Sequence, residues 1–548
     1  MTVLIPRQST MRCRTRDLGP CPDAPRLPTV TAMRLEELQH AVRGAVEDPA
    51  LTYRQRVQLL ASLAENVMDP PPLSPAAQHA LDKRVICDMY EGNAPYRPRY
   101  VLPDYGKALR QGSTFLELPP PAGLDEAIAF LLAMYANVPS ITGYPVYLGN
   151  FDELLAPYVG ELDDDTVYRV LRSLWVVLDR IMPDAFTHTN IGPEDSRLTR
   201  AVLRVAAELQ QVVPNLTLRV DPERTPDDLV LEAVRTVFAC GGPHFVNHPM
   251  MTSDLGDRYG IVSCYNSLLA GGGAHTLVRL NLKEVVLRTD GGAAAFLDET
   301  LPEYVALAGE LAAARIRHLV EQARFYEHSW LVDEGLVDPT RFTAMFGVVG
   351  LAKAVDMLQE REGRTGTYGH DDEANALAQR AVERVARLVA EHEMPHCEAT
   401  GGRALLHSQA GLDSDDGFTA GTRIPVGTEP PLLQHLLTVA PLHRWFPSGV
   451  SDVLAFDETA VRNPQACVDV IRGAFAEGMR DVTFNLDSND FVRITGYLVR
   501  KSDLAKLSEE GARHSSTFLG AGSMQRSHLG DRVAKRVISG ESGAGPGR

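Results

Sequence analysis

Cysteine is scarce in this sequence. Only seven of the 548 residues are cysteine, they lie far apart, and no two form a C-x-x-C pair. A sparse, odd-numbered set excludes the disulfide framework of a small secreted protein and is typical of reduced thiols. We therefore predict a cytoplasmic protein.

Long apolar runs and an excess of basic residues are also missing. No apolar run approaches the ~20 residues that span a bilayer, and residues 1–28 lack the apolar centre of a signal peptide despite their arginines. The chain carries 54 Lys+Arg against 71 Asp+Glu, a formal net charge of −17. Nucleic acid and anionic membranes are bound through a basic face, so neither is a predicted partner.

Apolar residues make up 44% of the chain and charged residues 23%, which excludes wholesale disorder. Short apolar runs alternate with amphipathic stretches, a pattern that favours an α/β fold. No obvious polar linker interrupts the body, so we expect one large domain with flexible tails at 1–32 and 536–548.

Helical spacing and helix-end residues give more local predictions. The Thr225-Pro226 start and the Gly241-Gly242 stop predict a helix that ends near Cys240. Alternating residues predict a strand at Leu216–Val220. Further helices are predicted at about 165–182, 198–213, 303–326, 350–360 and 371–392.

One motif suggests zinc. Residues 392–396 match H-E-x-x-H, which binds zinc when helical spacing places both histidines on one face. Pro395 falls inside the motif and should end the helix near His392. The favoured interpretation is a helix end followed by a turn, and a zinc hydrolase is the alternative. No metal is predicted.

The most informative segment is Arg493-Ile494-Thr495-Gly496-Tyr497. A glycine within a strand ordinarily marks a bulge or a close backbone approach. A chance match to Arg-Val/Ile-Ser/Thr-Gly-Tyr has odds on the order of one in a thousand for a chain of this length. The segment resembles the radical motif of the glycyl radical enzymes. The resemblance implies a radical stored on Gly496, with Arg493, Thr495 and Tyr497 supporting the loop.

Glycine suits this role because loss of an α-hydrogen leaves a planar radical, and glycine alone has no Cβ to crowd it. In this family a cysteine relays the radical to substrate as a thiyl. Cys264 lies in an apolar run that resembles the family's cysteine loop, although a lone cysteine in such a run is otherwise typical of core packing. We predict Cys264 and Gly496 as the catalytic pair.

Further stretches resemble pyruvate formate-lyase and the anaerobic ribonucleotide reductases: residues 141–147, 214–220 and 346–351. The resemblance implies a ten-stranded α/β barrel, built from two parallel five-stranded halves and surrounded by helices. It also implies a body at 33–470 and a C-terminal glycyl radical region at 471–535. Such a barrel would shield a radical from solvent and oxygen.

Departures from the well-known branches narrow the subfamily. Ser263 precedes Cys264 where pyruvate formate-lyase has a second cysteine, and Asn266 replaces the glutamate that serves the diol and choline eliminases as a base. No cysteine follows Cys467, so the zinc ribbon of the anaerobic reductases is missing. This combination resembles the YjjI-type glycyl radical enzymes, and the reaction stays open among lyase, reductase and transferase.

The remaining expectations concern the pocket and the partners. His244 and His248 precede the cysteine loop and, with Asn266, are candidate pocket residues for a small polar substrate; Ser448-Gly449 is a further candidate. The resemblance implies a homodimer, no tightly bound cofactor, and a separate radical-SAM iron-sulfur activase that makes the glycyl radical anaerobically. The alternative is a catalytically silent barrel that acts as a scaffold or small-molecule sensor.

Overall fold

The computed structural model describes residues 35–537, except 90, 183, 185, 410–416, 511, 515–516 and 518–531. The predicted tail at 1–32, and the predicted tail at 536–548 from residue 538 onward, lie outside the described residues. Among the residues that the structure describes, no helix combines the length and the apolar character needed to cross a bilayer.

Sixteen strands are assigned in the described residues: β1 Ile86–Asp88, β2 Tyr100–Leu102, β3 Tyr147–Asn150, β4 His188–Ile191, β5 Asn215–Val220, β6 His244–Asn247, β7 Tyr259–Val262, β8 Asn266–Leu269, β9 Gly272–Asn281, β10 Phe342–Val349, β11 Leu405–Ser408, β12 Leu454–Phe456, β13 Asp481–Val482, β14 Phe484–Leu486, β15 Phe491–Arg493 and β16 Leu498–Arg500.

Twenty α-helices are assigned in the same residues: α1 Leu35–Glu47, α2 Tyr53–Glu65, α3 Pro75–Asp82, α4 Tyr105–Gln111, α5 Leu124–Ala136, α6 Phe151–Val159, α7 Asp164–Ile181, α8 Arg197–Leu209, α9 Asp227–Cys240, α10 His248–Leu255, α11 Leu282–Leu287, α12 Ala293–Ala295, α13 Leu301–Arg317, α14 Trp330–Asp333, α15 Leu351–Arg361, α16 Asp372–Glu391, α17 Leu432–His443, α18 Glu458–Arg462, α19 Pro464–Ala476 and α20 Lys501–Glu510.

Two five-stranded sheets form the centre of the fold. Sheet one has the order β13-β6-β5-β4-β3, and sheet two has the order β1-β9-β10-β11, with β2 also paired to β9. Strands β3 to β6 run parallel to one another, as do β9 to β11. The two predicted halves are therefore present. They are not parallel throughout, because β1, β2 and β13 pair antiparallel.

Each locally predicted helix corresponds to a helix of the structure, and the predicted strand lies within β5, with differences at some helix ends. Helix α9 ends at Cys240, where Gly241 adopts a left-handed φ of 73°, and β5 covers the predicted strand. Helix α8 ends at Leu209, earlier than predicted, because Gln210 turns left-handed with a φ of 48°. The long helix predicted at 303–326 is α13, flanked by short π-helical turns at 296–300 and 318–322.

The C-terminal region is joined to the body. Helix α19 runs through residue 470, the predicted start of that region, and β13 pairs with β6 of sheet one. Where the region begins stays a prediction.

The two histidines of the H-E-x-x-H match lie in different surroundings. Helix α16 ends at Glu391, as predicted from Pro395. The ring of His392 packs on Gly309 of α13, at a distance that leaves no room for a Cβ there. His396 Nε2 lies 3.0 Å from Glu321 Oε1. No group of three or more metal-ligating side chains occurs in the described part of the chain, so zinc hydrolysis gains no support.

Candidate active site

Cys264 lies at the tip of a buried hairpin, the cysteine hairpin, formed by β7 and β8. The strands pair antiparallel up to Val262 and Asn266, and the turn consists of Ser263, Cys264 and Tyr265. Ser263 and Tyr265 have φ values of 52° and 63°, a left-handed conformation that costs a non-glycine residue about 1–2 kcal/mol. The turn is therefore strained and depends on its surroundings.

Sheet one supports the cysteine hairpin directly. The amide of Asn190, on β4, donates to Ile261 O at 3.0 Å and accepts from Ile261 N at 2.8 Å. Ser451 Oγ donates to Cys264 O at 3.0 Å from the other side. These bonds fix the backbone on both sides of the sulfur, and 8% of Cys264 remains exposed.

Gly496 lies in a second hairpin, the glycine hairpin, formed by β15 and β16. Arg493 pairs with Leu498, and Ile494 N donates to Tyr497 O at 3.1 Å, so Thr495 and Gly496 form the tip. A Cβ on Gly496 would lie 2.8 Å from the carbonyl carbon of Cys264, and closer still to Cys264 Cα and Ser263 O. The two hairpin tips are thus in backbone contact, and only glycine fits between them.

Two further residues of the glycine hairpin, Thr495 and Arg493, make contacts across the site. Thr495 Oγ1 lies 3.4 Å from Cys264 Sγ. The fully buried Arg493 donates to Asn215 Oδ1 at 3.1 Å and to Gly241 O at 2.6 Å, and its guanidinium lies 5.7 Å from the centre of the Tyr265 ring. Arg493 therefore joins the glycine hairpin to sheet one and α9 through neutral oxygen acceptors.

Tyr497, which follows Gly496 in sequence, is buried. Its ring centre lies 5.0 Å from that of Phe186, at an interplanar angle of 45°. Support of the glycine hairpin by Tyr497 stays a prediction.

Arg423 is part of the site but is not predicted from sequence. Its guanidinium donates two hydrogen bonds to Ile494 O, both at 3.3 Å, and one to Ser451 O. The side chain of Ser451 in turn donates to Cys264 O. Arg423 thereby links both hairpins. It belongs to no spaced motif, and only the fold brings it there.

The pocket candidates occupy three different places. Asn266 donates from Nδ2 to Val262 O and to Tyr100 OH, both at 3.3 Å, and Tyr100 OH donates to Ser263 Oγ at 3.3 Å. Asn266 is therefore beside the Cys264 turn. Ser448 O accepts from Ser267 N at 3.2 Å, so the Ser448-Gly449 turn lies along β8 of the cysteine hairpin.

The two candidate histidines lie at opposite ends of the cysteine hairpin. The ring of His244 stacks on Tyr265 with centres 3.8 Å apart, and its Nδ1 lies 2.8 Å from Thr217 Oγ1. His248 Nδ1 lies 2.7 Å from Tyr259 OH, at the end of the hairpin remote from Cys264. Burial lowers the pKa of His244 well below its ordinary value and that of His248 to about 4, so both are neutral at pH 7. A substrate contact for either stays a prediction.

Comparison with known proteins identifies the family. A family model described as "Glycyl radical enzyme YjjI-like" matches residues 51–535. "Uncharacterized protein YjjI" of Escherichia coli (strain K12) is 47% identical over 505 residues, which cover 92% of this chain and 97% of that protein.

Solved structures show the fold. Hydroxyproline dehydratase from Clostridioides difficile aligns with a TM-score of 0.67 at 12% identity, over 90% of this chain and 88% of that one. The anaerobic ribonucleotide reductase from Thermotoga maritima aligns with a TM-score of 0.63 at 13% identity, over 86% of this chain and 90% of that one. The glycyl radical enzyme barrel expected from the sequence is confirmed. The chain belongs to the YjjI-like glycyl radical enzymes.

Proposed function

We propose that Gly496 stores the radical and that Cys264 relays it to a small polar substrate. The observation that carries this proposal is the contact between the two hairpin tips, with the Gly496 backbone against Cys264 and no room for a side chain. A hydrogen atom can move between groups held this close without any large rearrangement.

Each proposed step conserves atoms and electrons. Gly496 first loses one α-hydrogen atom to a radical supplied by the activase. The glycyl radical then takes the hydrogen atom of the Cys264 thiol, which restores the glycine and leaves a thiyl. The thiyl in turn takes a hydrogen atom from a substrate carbon, so one S–H bond forms and one C–H bond breaks. Burial of both hairpin tips keeps solvent away from these radicals.

The activase is proposed to be a separate radical-SAM enzyme. The cysteines of this chain nowhere have the C-x-x-x-C-x-x-C spacing that would hold the required iron-sulfur cluster. Gly496 itself would carry the only modification, and the proposed reaction needs no cofactor that stays bound.

Electron paramagnetic resonance after anaerobic activation tests the proposal. Wild type, activated by a radical-SAM activase from the same organism, should show the doublet of a glycyl radical, and Gly496→Ala should not. Cys264→Ser should keep the doublet and lose turnover, whereas the control Cys467→Ser, which removes a buried thiol from α19, should keep both.

Two results would contradict the assignment: a doublet that survives Gly496→Ala, or turnover by Cys264→Ser. Exposure of the activated protein to air gives an independent check, because oxygen trapped at the radical should cleave the chain at Gly496. A folded wild-type protein that the activase never modifies would favour the silent scaffold instead.

A further inference from the structure

Several buried polar atoms around the cysteine hairpin have no hydrogen-bond partner among the residues that the structure describes, and His244 Nε2, on the ring stacked against Tyr265, is one of them. The three at the Cys264 turn and at the end of β11 are Asn266 Oδ1, His407 Nε2 and Gln409 Oε1. The three side chains are no more than 3% exposed. A buried polar atom without a partner costs about 1–3 kcal/mol, so three in one region require an explanation.

Asn266 presents an acceptor. Its Nδ2 donates to Val262 O at 3.3 Å, and because a carbonyl oxygen cannot donate, the orientation of the amide is fixed. The unpaired Oδ1 atom is therefore a carbonyl oxygen that can only accept. It belongs to the residue that closes the Cys264 turn.

His407, on β11, presents a second acceptor. Its Nδ1 lies 2.7 Å from Ser448 O and must carry a proton to bond with that carbonyl. Burial, together with the nearby Arg99 guanidinium, lowers the pKa of His407 to about 4, so the ring is neutral at pH 7 and Nε2 holds a lone pair. Ser448 O also accepts from Ser267 N, which places His407 against the cysteine hairpin.

The Gln409 amide lies beside His407, and its oxygen has no partner in the described residues. Gly347 on β10 is the register partner of His407, and a Cβ on Gly347 would lie 3.3 Å from Gln409 Oε1. Gly347 therefore packs closely against the Gln409 side chain, and a methyl group at this position would be crowded. His407 and Gln409 thus flank the same glycine on one strand pair.

The nearby Arg99 guanidinium does not add an unbalanced positive charge to this group of acceptor atoms. The Arg99 guanidinium donates to Glu91 Oε1 at 3.2 Å and to Met89 O at 2.8 Å, so its charge is balanced within the protein. Its Nε has no partner in the described residues and offers one donor. A group that both donates and accepts a hydrogen bond, such as a hydroxyl, fits this combination.

Resting on the proposed function, we propose that Asn266, His407 and Gln409 hold adjacent hydroxyl groups of a polyol substrate beside Cys264. Each acceptor would receive one hydroxyl hydrogen. A carboxylate or a keto group has no hydrogen to donate and would leave these atoms unpaired. The hydrogen atom taken by the thiyl would then come from a carbon that bears one of the bound hydroxyls.

Isothermal titration of the unactivated, full-length protein tests this, because binding does not require the radical. The probes are glycerol, propane-1,2-diol, propan-1-ol, D-ribose and pyruvate. We expect saturable millimolar binding of glycerol or ribose, weaker binding with each hydroxyl removed from glycerol, and none of pyruvate. Pyruvate binding as well as the polyols, or no saturable polyol binding because only water fills the site, overturns the proposal.

Variants assign the acceptors. His407→Leu and Gln409→Leu should each weaken polyol binding at least about fivefold, since each leaves one hydroxyl unpaired. His370→Leu, on an exposed turn, should bind as wild type does. Unchanged affinity in a folded acceptor variant overturns the assignment. Should both variants fail to fold, the probe series on wild type decides alone.

The two proposals fail separately. A glycine doublet without polyol binding leaves the radical assignment standing and removes the substrate class. Polyol binding without a doublet in any activated sample does the reverse.

Discussion

Replacing Gly496 with alanine adds one methyl group at the contact between the two hairpin tips. The new Cβ would lie 2.8 Å from the Cys264 carbonyl carbon, whereas carbon atoms pack best at about 3.5–4.0 Å. The φ of Gly496 is outside the left-handed region, so alanine can adopt its backbone and the cost is steric. The hairpins must separate by about 1 Å, and such overpacking costs about 1–3 kcal/mol.

Hydrogen exchange measures this cost locally. Amides of the glycine hairpin should lose protection by roughly 5- to 150-fold in Gly496→Ala, which is the same free energy expressed as an opening equilibrium. The control is Gly473→Ala in α19, where no atom lies within 4 Å of the added Cβ. That variant should be stabilised by about 0.5–1 kcal/mol. Wild-type protection of the glycine hairpin in Gly496→Ala would refute the reasoning.

Three further predictions follow from the buried charges. Arg493→Ala should lower the midpoint of thermal unfolding and reduce the free energy of unfolding by about 3 kcal/mol. Arg493→Lys should not restore stability, because a single ammonium cannot reproduce the directed hydrogen bonds of the planar guanidinium. Although burial opposes its charge, bonds from His514 and Arg513 lower the pKa of Asp179 to about 2, below its ordinary 3.8. Protection factors of the amides at 512–514, corrected for the intrinsic exchange rate at each pH, should therefore be high above about pH 4 and fall as the pH drops toward 2, and an unchanged protection factor would contradict this. Glu91→Gln should cost about 3–5 kcal/mol in a denaturant titration, since it leaves the buried Arg99 without its counter-charge, whereas a cost near zero would show that the pair is not needed.

The sequence predicts the two ends of the proposed radical path because each depends on a local pattern. Gly496 lies in a five-residue motif, and Cys264 lies in an apolar run between turn residues. Their contact follows from the family resemblance and is visible in the described structure. Helix ends at Cys240 and near His392 were also predictable, because glycine and proline act on their immediate neighbours.

The surroundings of the site could not be predicted in the same way. Arg423, Ser451 and His407 reach the hairpins from strands and loops far along the chain, and none stands in a spaced motif. The antiparallel pairing of β1, β2 and β13 joins residues far apart in sequence. It was not predictable, because such short strands show little periodicity in sequence. His244 and His248 precede the cysteine hairpin in sequence, but the hairpin folds so that its tip points away from His248.

The left-handed pair Ser263 and Tyr265 has a consequence for the proposed radical transfer. A turn with two unfavourable φ values relaxes when the groups packed on it leave, and the tip of the glycine hairpin is one of those groups. If the glycine hairpin swings out, the turn loses its contact with Gly496 but keeps the bonds from Asn190 and Ser451 beside it, so the Cys264 sulfur would be held less firmly when its proposed radical source leaves. Under the proposed function, the strained turn would make docking of the glycine hairpin a condition for a well-placed thiol, and a half-assembled site would be inert rather than damaging.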